Sequence, residues 1–365
     1  MKIKTITCHD VYNHGASLQA FALQTYLESL GHEVAIIDYK PSYLNGHFNL
    51  WGINPRFDKP VVRWLYYLAK LPGRLKYRRR KKPFDQFTQS YLHLTKRYNS
   101  FGELKSDPPH ADIFVAGSDQ IWNSLFPNGR DPAFYLDFVP EGKKRISYAA
   151  SFGTEDIQTS IQPFVKDQLS RLDTISIRES ASLSLLDSLG VHNGIAVCDP
   201  VFLLDQSFWI SFSSLGCNHI LTPYLLVYDF DMSPVVREVA IKIANEKKLS
   251  IVSVSPWRYG YVEKNYVNAS PIDFLSLISR AEYVISNSFH ATAFSIIFQR
   301  DFCVIERSMN LNIRMSSLLD DLSLSDRISD SYDHSLLNSI SYESVLIRLS
   351  TIVARSNNFL DAAIR

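Results

Sequence analysis

The chain has 365 residues, 46% of them hydrophobic, and a formal net charge of +1. This length exceeds what one ordinary core accommodates and suits two domains, and the apolar fraction excludes an intrinsically disordered chain. The near-neutral charge excludes a general binder of polyanions.

The start of the chain predicts a βαβ unit. Residues 3–7 alternate as a strand does, residues 15–31 have helical periodicity that ends at Gly31, and residues 33–38 form the next strand. Such an opening builds a parallel sheet covered by helices. The further elements predicted in this half are strands at 111–117, 145–151, 173–179 and 195–199 and a helix at 179–190.

The alternation of strands and helices restarts near residue 214. The elements predicted there are strands at 223–230, 249–255, 282–286 and 302–306 and helices at 233–247, 270–281 and 291–299. The sequence therefore predicts an α/β protein with two Rossmann-like domains that face a cleft. We place these domains at residues 1–213 and 214–340. A C-terminal helix at 341–365 is expected to pack back on the first domain.

Polar residues cluster where the predicted strands end. Ligands of open α/β sheets bind beyond the carboxyl ends of the strands, near helix N-termini that attract anions. The clusters are Asp10 with Asn13, His14 and Gly15, then residues 116–123, 151–153, 178–180, 199–200 and 286–290. Each also has a purely structural interpretation: Asp199-Pro200 is typical of a capped turn, Arg178-Glu179 of an ion pair, and His14 of a helix cap.

His290 is the strongest catalytic candidate among these residues. It stands in "ISNSFHATAFSIIF" (285–298), where a strand is expected to turn into a helix, next to Ser288, Asn287 and Thr292. An imidazole has an unperturbed pKa of about 6.5, so it can exchange a proton near neutral pH.

Six stretches in this order resemble the polysaccharide pyruvyl transferase family. They are "NHGASLQAFALQTYLESLGHEVAIIDY" (13–39), "GSDQIWN" (117–123), "SYAASFG" (147–153), "SIRES" (176–180), "CDPVFLL" (198–204) and "ISNSFHATAFSIIF" (285–298). The resemblance implies a fold like that of B-type glycosyltransferases, no cofactor or metal, and phosphoenolpyruvate as co-substrate. It also implies transfer of pyruvate as a ketal onto two hydroxyls of a sugar in a bacterial surface glycan or its lipid-linked precursor, with release of phosphate.

The resemblance further assigns roles to residues. His290 matches the histidine that leads as catalyst, and Arg178 matches an arginine thought to hold the donor. Many members carry arginine where this chain has Ser288, and we expect Arg314 to supply the missing cation. The expected catalytic residues are His290, His14 and Asp119; the donor-binding residues are Arg178, Ser288, Asn287, Arg314 and Ser118; and the acceptor-binding residues are Asp10, Asn13 and Gln120, with the choice of base left open among His14, Asp10 and Asp119.

A basic insertion at about 55–100 interrupts the α/β pattern of the first domain. Residues 59–82, "KPVVRWLYYLAKLPGRLKYRRRKK", contain basic side chains beside aromatic and aliphatic ones, and no acidic residue. This composition predicts contact with an anionic membrane, at about 1 kcal/mol per cation. The alternative is a solvated helical insertion. We expect no nucleic acid as a partner, because no nucleic-acid-binding fold accompanies the patch.

The predicted location is cytoplasmic, peripheral at the inner face of the cell membrane. The four cysteines, Cys8, Cys198, Cys217 and Cys303, are scattered, which argues against a zinc site and a disulfide scaffold. We expect no signal peptide, and no stretch approaches the roughly 20 apolar residues of a membrane span. Two other functions stay open: a glycosyltransferase that uses a nucleotide sugar in the same cleft, and a non-catalytic member of the family.

Overall fold

The computed structural model describes residues 1–45, 60–216, 220, 222–306 and 313–365. Lys59 of the basic insertion and Cys217 lie outside these ranges. Within the described residues, no helix has the length and apolar character needed to cross a membrane.

The first half of the chain forms a parallel sheet. Its strands within the described ranges are β1 (Lys2–Ile6), β2 (Glu33–Tyr39), β3 (Leu94–Tyr98), β4 (Ile113–Asp119), β5 (Lys144–Ala150), β6 (Ser176–Ile177) and β7 (Ile195–Ala196). Their order across the sheet is β3-β2-β1-β4-β5-β6-β7, and every pair is parallel. The helices of this half are α1 (His14–Ser29), α2 (Ser42–Asn45), α3 (Pro60–Tyr91), α4 (Phe101–Ser106), α5 (Gln162–Leu169), α6 (Leu183–Ser188) and α7 (Gln206–Ser213).

The second half repeats this plan. Its described strands are β8 (Tyr224–Tyr228), β9 (Ser250–Ser253), β10 (Lys264–Asn265), β11 (Tyr283–Ser286), β12 (Asp301–Ile305) and β13 (Ile328–Ser329), in the order β10-β9-β8-β11-β12-β13 and again parallel. Its helices are α8 (Pro234–Lys247), α9 (Pro271–Ser279), α10 (Phe289–Ile297), α11 (Ile313–Asp321) and α12 (Tyr342–Ile364). Both sheets follow the doubly wound order, which confirms the predicted α/β class with two Rossmann-like units.

Local sequence signals explain where several helices begin and end. Asn13 caps α1 by accepting from the N–H groups of Gly15 and Ala16, and Gly31 follows the helix with φ of +83°, a conformation that glycine adopts without strain. Ser270 and Asp273 form a reciprocal capping box on α9. These short-range rules are why the predicted elements reappear close to their expected bounds.

A continuous apolar core joins the two sheets. The buried cluster runs from α1 through α7, α9 and α10 to α12. The last helix contacts the first sheet's unit: Ser356 Oγ accepts from the N–H of Cys198 at 2.8 Å, and Tyr26 donates to Asn357 Oδ1 at 2.9 Å. The division of the chain at residue 213 stays a prediction.

Some elements differ from the sequence-based expectation. The strand predicted at 173–179 pairs only at Ser176–Ile177, and the helix predicted at 179–190 covers Leu183–Ser188 after a 3₁₀ turn. Here the chain leaves the sheet where Arg178 and Glu179 enter a buried ion cluster. The strand β3 was not predicted, because Lys96 and Arg97 at its centre lack an apolar pattern. The helix α10 begins at Phe289, so His290 lies inside its first turn.

Candidate active site between the two sheets

The site lies where the switch points of the two sheets meet. Strand order reverses between β1 and β4 in the first sheet and between β8 and β11 in the second, and ligands bind at such points beyond the carboxyl ends of the strands. The start of α1 follows β1 and the start of α10 follows β11. These two starts are in contact, because a Cβ atom placed on Gly15 would lie 2.0 Å from Nδ1 of His290.

Asp199 is the centre of the polar network at this contact. It is 1% exposed, and its Oδ2 atom accepts hydrogen bonds from Arg178 Nη1 at 2.7 Å and from Ser118 Oγ at 3.2 Å. The same oxygen lies 3.6 Å from Nε2 of His290. Its other oxygen, Oδ1, accepts from the N–H of Val201 at 3.1 Å and so caps the following turn. The capped-turn interpretation therefore accounts for one oxygen of Asp199, and the network accounts for the other.

Arg178 is a buried cation whose charge is balanced by carboxylates. Besides Asp199, its guanidinium contacts Glu179 Oε1 at 3.2 Å and lies 3.9 Å from Asp119 Oδ1. Its flat face lies 4.4 Å from the ring centroid of Phe289. Burial alone would lower the pKa of Arg178, but the three carboxylates raise it above its ordinary value, so the guanidinium stays charged.

The charges around Asp199 keep it ionised. Burial alone would raise the pKa of this carboxyl group. His290 and Arg178 outweigh burial and lower the pKa below its usual range. The site thus contains a carboxylate that stays negative throughout the physiological pH range, in contact with a guanidinium and an imidazole.

Two buried nitrogens of this network have no hydrogen-bond partner within the described residues. They are Nε2 of His290, a residue 5% exposed, and Nη2 of Arg178, whose side chain is 2% exposed. The start of α10 is close by, and the side chain of Ser288, its N-cap, makes no capping hydrogen bond. Buried donors of this kind cost free energy when they are unsatisfied, so their grouping at a helix N-terminus indicates a ligand-binding position for an anion.

Arg314 of α11 lines the same cavity as Arg178, Asp199 and Phe289. With the amide of Gln120 oriented so that its oxygen faces the guanidinium, Gln120 accepts from Nη1 and Nη2 of Arg314, each at 3.2 Å. The cavity has room for little more than one water molecule, so a substrate with a phosphate group requires it to widen.

His14 is placed differently from the other candidates. Both ring nitrogens are engaged across the two halves of the chain, Nδ1 with the hydroxyl of Tyr228 and Nε2 with the carbonyl oxygen of Ala269, each at 3.0 Å. The ring stacks on Phe274 with a centroid distance of 4.8 Å. Burial, together with the charge of Arg80, lowers the pKa of His14 to about 3. His14 is therefore a buried, neutral residue that links the two halves of the chain through these hydrogen bonds.

Of the remaining predicted residues, Asp119 lies in the network, whereas Asn287, Asn13 and Asp10 are bonded to the chain around it. Asp119, with φ of +67°, reaches the network through its 3.9 Å approach to Arg178. Asn287 is occupied by the chain after β8, because it donates to Asp229 Oδ1 at 2.7 Å and accepts from the N–H of Phe230. Asn13 caps α1 with its side-chain oxygen. Asp10 is paired with Lys40.

Sequence reasoning missed three members of the network, Asp199, Glu179 and Gly15, as site residues. Their stretches were all noted as polar strand ends, so the position was recognised while the role was not. Glu179 is 1% exposed and accepts from Ser151 Oγ at 2.6 Å as well as from Arg178. A signal for Asp199 existed in the sequence, because an arginine at one strand end and an aspartate at the next are expected to meet at one edge of a parallel sheet.

A comparison with known protein families shows the family to which this chain belongs. The family described as polysaccharide pyruvyl transferase matches residues 13–309. The chain belongs to the polysaccharide pyruvyl transferase family. It is accordingly a transferase of polysaccharide biosynthesis, as the sequence resemblance implied. The matched range contains Arg178, Asp199 and His290, and Arg314 lies beyond it. No curated protein sequence is significantly similar to it.

Several solved structures are similar to this member of the pyruvyl transferase family. They include S. aureus MnaA with UDP (11% identity, 99% of this chain and 91% of that chain, TM-score 0.46). The UDP-GlcNAc 2-epimerase of Methanocaldococcus jannaschii matches at 11% identity over 97% and 93%, with a TM-score of 0.44. Arabidopsis thaliana UGT89C1 with UDP-L-rhamnose matches at 12% over 97% and 98%, with a TM-score of 0.47. Similarities of this size do not establish a shared activity.

Proposed function

We propose that the protein transfers the pyruvyl group of phosphoenolpyruvate onto two hydroxyls of a sugar in a bacterial surface polysaccharide or its lipid-linked precursor. The product is a pyruvate ketal, and phosphate is released. The observation that carries the proposal is the pair of buried nitrogens, His290 Nε2 and Arg178 Nη2, that have no hydrogen-bond partner within the described residues. Together with the uncapped start of α10 they suit a small, strongly anionic donor.

The donor carries a carboxylate and a phosphate on adjacent positions of a three-carbon unit, so it needs several cationic and N–H contacts. Arg178 offers the donor one nitrogen, Nη2, because its other two guanidinium nitrogens donate to carboxylates. Arg314 lines the same cavity and supplies the second guanidinium of the proposed donor site. Ser288 leaves the N–H groups at the start of α10 uncapped by its side chain.

Proton transfer from His290 starts the proposed reaction. The imidazolium gives its proton to the methylene carbon of the donor, which becomes a methyl group, and the adjacent carbon becomes electrophilic. One sugar hydroxyl attacks this carbon. The second hydroxyl then bonds to the same carbon, and the bond between that carbon and the phosphate oxygen breaks. Of the two hydroxyl protons, one returns to His290 and the other is taken up by the base and passed to the phosphate that leaves, so the ketal carries only the carboxylate charge.

Asp119 is the residue that we propose as base for the acceptor. Its side chain is 16% exposed at the end of β4, next to Arg178 and to Gln120. His14 is less suited to this role because both its nitrogens are occupied. Asp10, paired with Lys40, and Asn13 lie at the end of β1, where we propose that the sugar is held.

A lipid-linked acceptor would place the enzyme at a membrane, and we propose that α3 makes this peripheral contact. Arg78, Arg79 and Lys82 are exposed on it, and Trp64 is 67% exposed. Cationic and aromatic side chains on one helix suit the surface of an anionic bilayer.

Phosphate release from phosphoenolpyruvate, measured with a cell-derived lipid-linked glycan, tests the function. Release is expected only when donor and glycan are both present, to be lost in His290→Gln, and to persist in the control His192→Gln, whose side chain is 75% exposed. Thermal stabilisation by a nucleoside diphosphate without any phosphate release would contradict the proposal and favour a glycosyltransferase. Absence of both responses would indicate a non-catalytic member.

A further inference from the structure

Asp199 has contacts that the function proposed above leaves without a role. One oxygen caps the turn at Val201, as many aspartates do. The other oxygen is shared by Arg178, Ser118 and His290, and the residue is almost completely buried. Burying a carboxylate is costly unless it is paired, and capping alone requires only one oxygen. The second oxygen therefore makes contacts that the local turn does not require.

We propose that Asp199 is a positioning residue for catalysis, which orients the imidazole of His290 for proton transfer to the donor. The inference rests on the proposed pyruvyl transfer, in which His290 is the acid. Asp199 itself touches no reacting atom in this scheme. It acts through the imidazole, whose Nε2 lies 3.6 Å from Oδ2.

The charges of the network explain why Asp199 can do this. Arg178 bonds the same oxygen at 2.7 Å and keeps Asp199 ionised. Arg178 also pairs with Glu179 and Asp119. These two carboxylates offset the effect of its positive charge on the imidazole of His290. At 3.6 Å the contact between His290 Nε2 and Asp199 is an ion-pair contact and not a hydrogen bond, so it can orient the ring while Nε2 stays available to the donor.

Among the described residues, Asp199 is the carboxylate in ion-pair contact with His290. Towards Nδ1 the ring meets Gly15, and the first turn of α1 contains no acidic side chain. From α11 the cavity is lined by the cation Arg314 and by Asp321, whose carboxylate accepts from Ser180 Oγ at 3.1 Å, and from α9 the first-turn Asp273 is bonded to Ser270. Glu179 and Asp119 act on the imidazole only through Arg178, so Asp199 is the carboxylate placed to orient it.

The network also defines what Asp199 does during turnover. When His290 gives its proton to the methylene carbon, the imidazole becomes neutral while Asp199 remains ionised. When a hydroxyl proton returns, the carboxylate again stabilises the imidazolium that forms. No bond to Asp199 is made or broken, and its proton count does not change.

The variant Asp199→Asn tests the proposal, because the amide oxygen can still accept from Val201 while the charge is removed. The expected result is a fall in kcat of about 100-fold or more with a smaller change in the donor KM. The matched control is Asp205→Asn, since Asp205 also caps a helix start, but within the described residues its carboxylate accepts hydrogen bonds from Ser207 and Phe208 and from no cation. An unchanged kcat in Asp199→Asn, or a loss confined to KM, would overturn the proposal.

A measurement without substrate keeps the inference separate from the proposed function. In protein labelled with ¹⁵N-histidine, the ring-nitrogen shifts of His290, assigned with His290→Gln, report the tautomer and the hydrogen bonding of its imidazole. A single fixed state in the wild-type protein that changes in Asp199→Asn, and does not change in Asp205→Asn, is expected. Shifts that show no fixed tautomer in the wild-type protein overturn the inference, even if Asp199→Asn fails to fold. Absence of turnover with phosphoenolpyruvate, in contrast, would overturn the proposed function and leave the ring measurement valid.

Discussion

Gly15 packs so closely on His290 that a Cβ atom built on it would lie 2.0 Å from Nδ1 of the imidazole ring. Real Cβ atoms do not approach other atoms this closely, so any side chain at this position must displace the ring or the start of α1. A glycine here allows the first sheet's leading helix to contact the proposed acid of the second.

The variant Gly15→Ala is expected to lose activity while it remains folded. Displacing a catalytic group by about 1 Å can cost roughly 100-fold in rate, so a loss of kcat of this size is expected in the phosphate-release assay. The control is Gly102→Ala, because a Cβ on Gly102 meets nothing nearer than 3.9 Å. Equal rates for both variants would show that the contact does not position His290.

Arg314 is expected to determine donor affinity. Arg314→Ala removes the cation that we assign to the donor phosphate or carboxylate, so the KM for phosphoenolpyruvate is expected to rise by about 10-fold or more, with a smaller change in kcat. Arg314→Lys retains the charge but not the two-pronged geometry and is expected to fall between wild type and alanine. The control is Arg237→Ala on the exposed face of α8. An unchanged KM in Arg314→Ala would remove this residue from the donor site.

Membrane contact through α3 is expected to depend on its exposed basic residues. Changing Arg78, Arg79 and Lys82 to Glu removes three favourable charges of about 1 kcal/mol each and is expected to weaken binding to anionic liposomes by about 100-fold or more in a flotation assay.

The matched control for α3 changes the same number of exposed cations on the second half of the chain, Arg237, Lys248 and Arg258, to Glu. This variant has the same net charge as the first, so binding is expected to persist. Equal loss in the two variants would show a response to overall charge and would contradict a specific role of α3.

The fold was predictable because its signals are local. The βαβ rhythm, the cap of α1 and the capping box of α9 are all written in residues that lie next to each other, and parallel sheets require buried strands that read as apolar runs. The polar edge strand β3 lacks such a run, since Lys96 and Arg97 are exposed, and it was therefore missed.

The site was predictable in position but less so in role. Strand ends identified where Arg178, Asp199 and His290 would gather, but the distances that join them depend on how two sheets pack together. Asp199 looked like a cap because one of its oxygens is a cap. His14 was predicted to be catalytic because its hydrogen-bond partners, Tyr228 and Ala269, come from the other half of the chain. Nothing near His14 in the sequence indicates them.

His14 is expected to make stability depend on pH. The folded protein holds this imidazole neutral, with a pKa of about 3, whereas in the unfolded chain the pKa returns to about 6.5. Above about pH 6.5 both states are neutral and the contribution is fully present. Between about 6.5 and 3 the unfolded state binds a proton that the folded state does not, so the free energy of unfolding falls by up to about 1.4 kcal/mol per pH unit from this residue.

Urea unfolding of wild type and His14→Gln at pH 7, 5.5 and 4.5 measures this effect. Glutamine cannot take up a proton, so the variant is expected to be less stable at pH 7, where it loses the contacts with Tyr228 and Ala269, but to lose less stability on acidification. The exposed His192→Gln serves as control and is expected to follow the wild-type pH dependence. Parallel curves for wild type and His14→Gln would mean that His14 is not a buried, neutral residue that links the two halves, and would return it to the set of possible bases.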